Sequence, residues 1–449
     1  MQKTVVLNVV GLSKSILHLL PSLSRYAARH NLSVITPMLP AVTTSVQSTY
    51  LTGKWPCETG IVGNGWYDHA DSEIKFWKQS NKLVQAKKIW EAAKDANAGF
   101  TASNMFWWYN MYSSVDYSAT PRPNYLADGR KIPDCYTHPA SLRDTLQQQL
   151  GQFPLFQFWG PGANIKSSQW IADASIATDR LHNPALTLIY LPHLDYCLQK
   201  FGLNETLIKN ECAAIDKVAM QLIDYYQQQN ARIIVLSEYG ITPVSNPIHI
   251  NRILRNNDYI AIRKERGLEL LDAGASKAFA VADHQVAHVY VEDKTLLPEI
   301  KNLLENTNGI ARVLNKAEQI NYHIDHERSG DLVVVADHNS WFTYYFWNND
   351  ELAPDYARCV DIHKKPGYDP VELFMTSKAR AAYKLLKKKL GMRYVMDVIP
   401  LDASLVKGSH GSPFVEDEYK PVLITKDFSA APEVPPTDIY NIIWQHLHS

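Results

Sequence analysis

Short, continuous blocks of apolar and β-branched residues recur along the chain, at residues 4–10, 33–36, 185–191, 232–237, 287–291, 331–336 and 421–425. A block that is apolar at nearly every position suits a strand buried on both faces, as in a parallel sheet. Between these blocks lie stretches with the 3.6-residue period of helices, at residues 14–29, 84–97, 141–150, 168–180, 205–229, 296–306 and 370–390. Strands alternating with helices predict a doubly wound α/β fold, with a mainly parallel central sheet and helices on both faces. No internal repeat, low-complexity tract or Gly/Ser linker divides the chain. The pattern therefore predicts one domain over residues 1–449, with long insertions at roughly 65–180 and 245–400.

The charge balance, 45 Lys+Arg against 46 Asp+Glu, removes the electrostatic footprint expected of a protein that binds a nucleic acid polymer or an anionic surface. It leaves room for a small phosphorylated ligand recognised locally. No apolar run reaches the ~18 residues that span a bilayer, so no membrane span is predicted. The segment Met1–Ser15 (MQKTVVLNVVGLSKS) is interrupted by Asn8 and reads as a first strand rather than a leader. The five cysteines form no CxxC pair, which points to reduced thiols and a cytoplasmic location and argues against a structural zinc or a disulfide framework. Aromatics gather at Phe106–Tyr109, at Phe153–Trp159 and at Trp341–Trp347, either as core or as walls for a flat or apolar leaving group. The sequence leaves both open.

In open α/β sheets, ligands sit beyond the carboxyl ends of the strands. There the chain places Asn8-Val9-Val10-Gly11, Pro192-His193-Leu194-Asp195 and Ser237-Glu238-Tyr239-Gly240, with Gly408-Ser409-His410-Gly411 ahead of the block at 421–425. Two carboxylates at neighbouring strand ends with a glycine-flanked imidazole suggest a metal or phosphoryl site. The run Pro40–Ser45 leads into a short helix, where a hydroxyl either faces the unpaired N–H groups or serves as an ordinary N-cap. Asp361 and His363 would share one face of an extended segment and could act as further ligands. Asp283-His284-Gln285 with His288 reads as a hydrogen-bonded start of a strand, and His323–His326 and Asp337-His338 as turns.

Taken in order, these blocks resemble the alkaline phosphatase superfamily and, within it, the nucleotide pyrophosphatase/phosphodiesterase branch. The motifs are TTSVQSTYLTG, in which Thr43 stands ten residues before Gly53, then GIVGN ending at Asn64, YLPHLDYCLQKFG containing Asp195, RSGDLV at 328–333, and GSHG containing His410. The resemblance implies Thr43 as nucleophile, Asn64 as a phosphate-binding residue, and Asp195 and His410 as metal ligands, with Glu238 a carboxylate replacement at a third ligand position. Three usual ligand positions hold Val10, Gln199 and Tyr239, for which Asp361 and His363 could compensate. The expected activity is a metal-dependent phosphoryl-ester hydrolase using one or two zinc, manganese or magnesium ions. The alternatives are a catalytically silent relative that binds a phosphorylated or aromatic ligand, or a hydrolase of a sulfate or phosphonate ester.

Overall fold

The strand Thr4–Val9 is buried at every position and lies in the middle of a nine-stranded sheet. The computed structural model describes residues 2–128, 130–426 and 430–448. Across the sheet the order is Glu433–Val434, Asn31–Ile35, Val422–Thr425, Arg232–Leu236, Thr4–Val9, Leu186–Leu191, Ala102–Met105, Tyr117–Pro121 and Cys135–His138. The consecutive five from Arg232–Leu236 to Tyr117–Pro121 run parallel, so their carboxyl ends open on one edge. Val422–Thr425 enters antiparallel between Arg232–Leu236 and Asn31–Ile35. Helices Lys166–His182 and Glu205–Gln228 pack together against the sheet, while Thr43–Thr52 packs with Asp438–His448. This is the doubly wound, mainly parallel α/β architecture that the alternating pattern predicts.

Three strands come from residues 102–138, inside the span read as an insertion, and their buried Ser103, Asn104, Ser118 and Thr120 gave no apolar block to notice. Conversely, the blocks at 287–291 and 331–336 belong to a separate four-stranded antiparallel sheet, ordered Ala278–Asp283, Val286–Val291, Leu332–Ala336 and Ile310–Leu314. An unbroken apolar run reports burial on both faces, not strand direction. Here one face packs Ala287, Val289 and Val334 into one core, and the other packs Val286, Val333 and Val335 into a second. Prolines divide two predicted helices. Pro21 opens a new helix, giving Lys14–Leu17 and Pro21–Ala27, and Pro370 opens a short 3-10 turn, Pro370–Leu373, well before the helix Lys378–Lys389.

The parallel strand ends are held close by glycines where they must be. At Gly240 an added Cβ would lie 1.9 Å from the Tyr419 carbonyl oxygen, and at Gly408 one would lie 2.4 Å from the Leu198 carbonyl oxygen. No side chain fits at either position, so the turns that carry Glu238-Tyr239 and His410 pack directly against neighbouring backbone.

The segment 359–373 is anchored over the same edge by a buried ionic cluster. Lys365 Nζ lies 2.7 Å from Asp369 Oδ2 and 2.7 Å from Glu372 Oε1, with all three side chains at most 2% exposed. Glu372 also accepts hydrogen bonds from Trp159 Nε1 and the Asp361 amide. Removing one partner from such a cluster strands the others in low dielectric, at a cost of roughly 3–5 kcal/mol. Lys365→Met should therefore lower the unfolding free energy by about that amount in urea titrations; a change within error would show that the cluster is not structural.

Candidate active site

Helix Thr43–Thr52 is buried along its whole length and ends at Gly53, which takes the left-handed conformation (φ 66°) that glycine tolerates. Its N-cap is Val42, which has no side chain to offer the first turn. Thr43 is therefore not spent as a cap: its Oγ1 lies 2.9 Å from the Tyr239 hydroxyl. The next residue fixes the loop opposite. Thr44 donates its amide to Asn64 Oδ1 (3.1 Å) and its hydroxyl to the Gly63 carbonyl (2.8 Å).

Asn64 is gripped from the second sheet. Its amide donates to Asp283 Oδ2 (2.8 Å), and its Nδ2 donates to Asp283 Oδ1 (3.0 Å). An amide nitrogen carries two N–H groups, so one remains for a ligand. Asp283 and Val286 pair across a hairpin whose two-residue turn is His284-Gln285, and His284 adopts φ 60° there. The turn pushes the His284 ring between Tyr368 (centroids 3.6 Å apart) and His410 (3.8 Å). Gln285 donates its amide to the His410 carbonyl, which ties the hairpin to the GSHG segment. The sequence reading, which took Asp283-His284 as an ordinary start of a strand, is thus corrected: the pair stands at the tip of a hairpin that completes the site.

Both imidazoles are oriented alike. His410 Nδ1 bonds the Ala41 carbonyl (2.7 Å) and His284 Nδ1 bonds Asp283 Oδ1 (2.8 Å), while the Nε2 atom of each has no hydrogen-bond partner. Such anchoring of one ring nitrogen directs the lone pair of the other into the site. His410 Nε2 points at Asp195 Oδ1, 3.7 Å away. Asp195 in turn accepts from Gln199 Nε2 (3.0 Å), and the Tyr368 hydroxyl donates to Gln199 Oε1 (2.9 Å). Burial pushes the Asp195 carboxyl up to about 7 against the Gln199 hydrogen bond, and burial drives His410 well below its usual value.

At the neighbouring strand end, Glu238 Oε1 accepts hydrogen bonds from both Asn8 and Gln47, and Gln47 is itself fixed by the Trp108 amide (2.6 Å). Burial raises Glu238 to about 8, with the bonds from Gln47 and Asn8 pulling the other way. Glu238 Oε2 has no hydrogen-bond partner. Tyr239 stacks on His410 with ring centroids 3.6 Å apart. Thr43, Tyr190, Asp195, Tyr239, His284 and Tyr368 line the inner end of a cavity of about 1570 Å³.

The structure thus brings Thr43, Asn64, Asp195, Glu238 and His410 to one place. Asp361 and His363 do not join them: Asp361 pairs with Lys364 at 3.5 Å, and His363 Nδ1 lies 3.4 Å from the Phe76 carbonyl oxygen. The segment carrying them is held elsewhere through the hydrogen bond from the Asp361 amide to Glu372. Among the described residues, no three His, Cys, Asp or Glu side chains form a group able to hold a metal ion. The donor chemistry separates two cases. One ion fits Asp195 with the unpartnered Nε2 of His410. A second does not, because Val10 has no donor atom, the Tyr239 hydroxyl is bonded to Thr43, and Glu238 Oε1 is committed to two amides.

The family model for type I phosphodiesterase/nucleotide pyrophosphatase matches residues 4–369. The chain belongs to this phosphodiesterase family. Among solved structures, phosphonoacetate hydrolase from Sinorhizobium meliloti, in complex with phosphonoformate, superposes with a TM-score of 0.62 at 16% identity, covering 99% of this chain and 96% of that one. Murine ectonucleotide pyrophosphatase/phosphodiesterase 5 gives 0.59 at 15% identity, covering 99% and 95%. An inactive form of the murine protein has been solved with AMP. At these identities the likeness is one of fold. No curated protein sequence matches significantly. Within the phosphodiesterase family frame, the residues that sequence reasoning missed are Gln47, Asp283, His284 and Tyr368. The one available signal was Asp-His ahead of an apolar strand, and it acquires meaning only once the hairpin pairing is known.

If Asp283 holds Asn64 in place, Asp283→Ala leaves a buried amide and a buried Nδ2 without acceptors, at a cost of about 1–3 kcal/mol. Thermal unfolding should register that loss; an unchanged midpoint would mean that the loop holds its shape without the carboxylate.

Proposed function

We propose that this member of the phosphodiesterase family hydrolyses a phosphoryl ester, with Thr43 as nucleophile. The observation that carries the reading is the Thr43 hydroxyl itself, at the uncapped N-terminus of a buried helix, lining a cavity and bonded to Tyr239 rather than to its own helix. In the first step Thr43 Oγ bonds to phosphorus as the bond from phosphorus to the leaving alcohol breaks. The proton that Thr43 releases is taken up by the departing alcohol, and the Tyr239 hydroxyl, 2.9 Å from Thr43 Oγ1, holds the nucleophile in place. Asn64, held by Asp283, donates its free N–H to a non-bridging oxygen on which charge develops. Water then cleaves the phosphothreonine and restores the hydroxyl.

Asp195 and His410 would hold a single divalent ion, which would supply Lewis-acid stabilisation of the phosphoryl oxygens. With one carboxylate and one imidazole as the principal donors, manganese, magnesium and zinc are all suited to the position. The His284 ring lies beside that of His410, centroids 3.8 Å apart, and its Nε2 is also without a hydrogen-bond partner. Of the expected one or two ions, the donor set favours one. The described residues include no helix long and apolar enough to cross a membrane.

Thr43→Ala should reduce turnover of an activated diester such as bis(p-nitrophenyl) phosphate by at least about a thousandfold, with little change in melting temperature, because only one hydrogen bond is lost. Retained turnover would dismiss the nucleophile. Titration of the metal-stripped protein with zinc, manganese and magnesium, followed by elemental analysis, should give about one ion per chain, lost in the Asp195→Ala/His410→Ala variant. Two tightly held ions would contradict the single-ion reading. The lack of donors for a second ion also motivates the silent-relative alternative, which would be supported if the wild-type protein binds phosphorylated ligands but turns over no phosphate, sulfate or phosphonate ester.

A further inference from the structure

The cavity that begins at Thr43 does not end near it. It continues past Trp77, Trp108 and Trp159 to the segment 375–398, where Met375, Leu385, Met392 and Val395 form part of its outer wall. At about 1570 Å³ it exceeds the roughly 300–1,000 Å³ usual for a small-molecule pocket, and far exceeds what a phosphoryl group and a short alcohol would fill. The outer wall is unusual in a second way. Helix Lys378–Lys389 has no buried residue, and Leu385, Met392 and Val395 are 54%, 52% and 53% exposed even though they line the cavity. Single exposed apolar side chains are ordinary, but a contiguous set at the mouth of a cavity marks a binding surface.

Cations outnumber carboxylates at this mouth, and the Asp397 carboxylate there is taken up by Lys384 and Arg380. Lys384 is neutralised by Asp397, whereas Lys387, Lys388 and Arg393 have no carboxylate within ion-pair distance among the described residues. The same helix thus offers exposed aliphatic side chains interleaved with uncompensated cations, the arrangement that suits an amphiphile with an anionic head. The walls leading outward from the site include the aromatic rings of Trp77, Trp108 and Trp159.

We infer that the substrate is an amphiphilic phosphoryl ester whose long apolar group occupies the cavity between Thr43 and helix Lys378–Lys389. The inference rests on the hydrolase reading only for the position of the head group. Basic side chains at the mouth attract the anion, and the aliphatic wall takes up the chain as it enters. The same chemistry serves a dispersed amphiphile or one embedded in a bilayer.

Calorimetric titration of the Thr43→Ala protein separates binding from turnover, using butyl, octyl and dodecyl phosphate below their micelle concentrations, AMP, and inorganic phosphate. Affinity should rise by about fourfold for each added methylene, and AMP should bind no tighter than butyl phosphate. An affinity independent of chain length, or tighter binding of AMP than of dodecyl phosphate, would overturn the inference. Leu385→Glu/Met392→Glu alters exposed positions only; it should flatten the chain-length series while sparing butyl phosphate, and an unaltered series would reject this cavity as the chain's location. Vesicles of phosphatidylcholine with and without phosphatidic acid distinguish the sources. Sedimentation only with phosphatidic acid, lost in Lys387→Glu/Lys388→Glu, assigns the bilayer; none with either assigns the dispersed amphiphile. A steep chain-length series with no wild-type turnover of alkyl phosphodiesters would reject the hydrolase reading and make the amphiphile a bound ligand rather than a substrate.

Discussion

Desolvation governs this site. Asn8, Thr43, Gln47, Asn64, Asp195, Glu238, Asp283, His284 and His410 are each at most 5% exposed, gathered beyond the carboxyl ends of parallel strands. Polar groups removed from water must find partners within the protein. The partnerships they find set the geometry: Asp283 orients Asn64, Asn64 receives the Thr44 amide, and Asn8 with Gln47 fixes Glu238. The atoms left over carry the chemical information. Asn8 Oδ1, Glu238 Oε2, His284 Nε2 and His410 Nε2 remain without hydrogen-bond partners. Such orphaned atoms at the base of a cavity are where a ligand or ion supplies the missing contact.

The same logic explains how a site can depart from its family pattern without collapsing. A charged ligand lost from a buried cluster would leave its neighbours uncompensated. Here the polar groups are served by amides: Glu238 Oε1 accepts from Asn8 and Gln47, and the Gln199 amide bridges Asp195 and Tyr368. Tyr239 fills its position by stacking on His410 and reaching Thr43.

Much of this architecture was legible in the chain. The apolar blocks at 4–10, 185–191 and 232–237 became adjacent parallel strands because burial on both faces leaves no polar position to interrupt them. Thr43, Asn64, Asp195, Glu238 and His410 were found by motif and strand-end position, and they do come together. The strands Ala102–Met105 and Tyr117–Pro121 were hidden because their inward positions hold serine, threonine and asparagine. His284 was hidden for a different reason. Its place follows from the register of a hairpin and from a left-handed backbone at a residue that carries no glycine-like signature. Local pattern reports burial and period, but it does not report which turn reaches across to another sheet. The Asp361/His363 spacing illustrates the converse: a plausible ligand pair on one face of a segment is aimed by whatever anchors that segment, here the Lys365 cluster.

The position of Val422–Thr425, inserted between Asn31–Ile35 and Arg232–Leu236, bears on how the chain is made. During synthesis the strands on either side emerge long before the one that joins them. Until residues 422–425 leave the ribosome, each presents an unpaired edge, which is a template for association with other chains. The preceding four hundred or so residues must therefore wait, partly assembled, for this one strand. A nascent chain stalled shortly before residue 422 would carry Thr43, Asn64, Asp195, Glu238 and His410 and yet lack the strand that joins the two parts of the sheet.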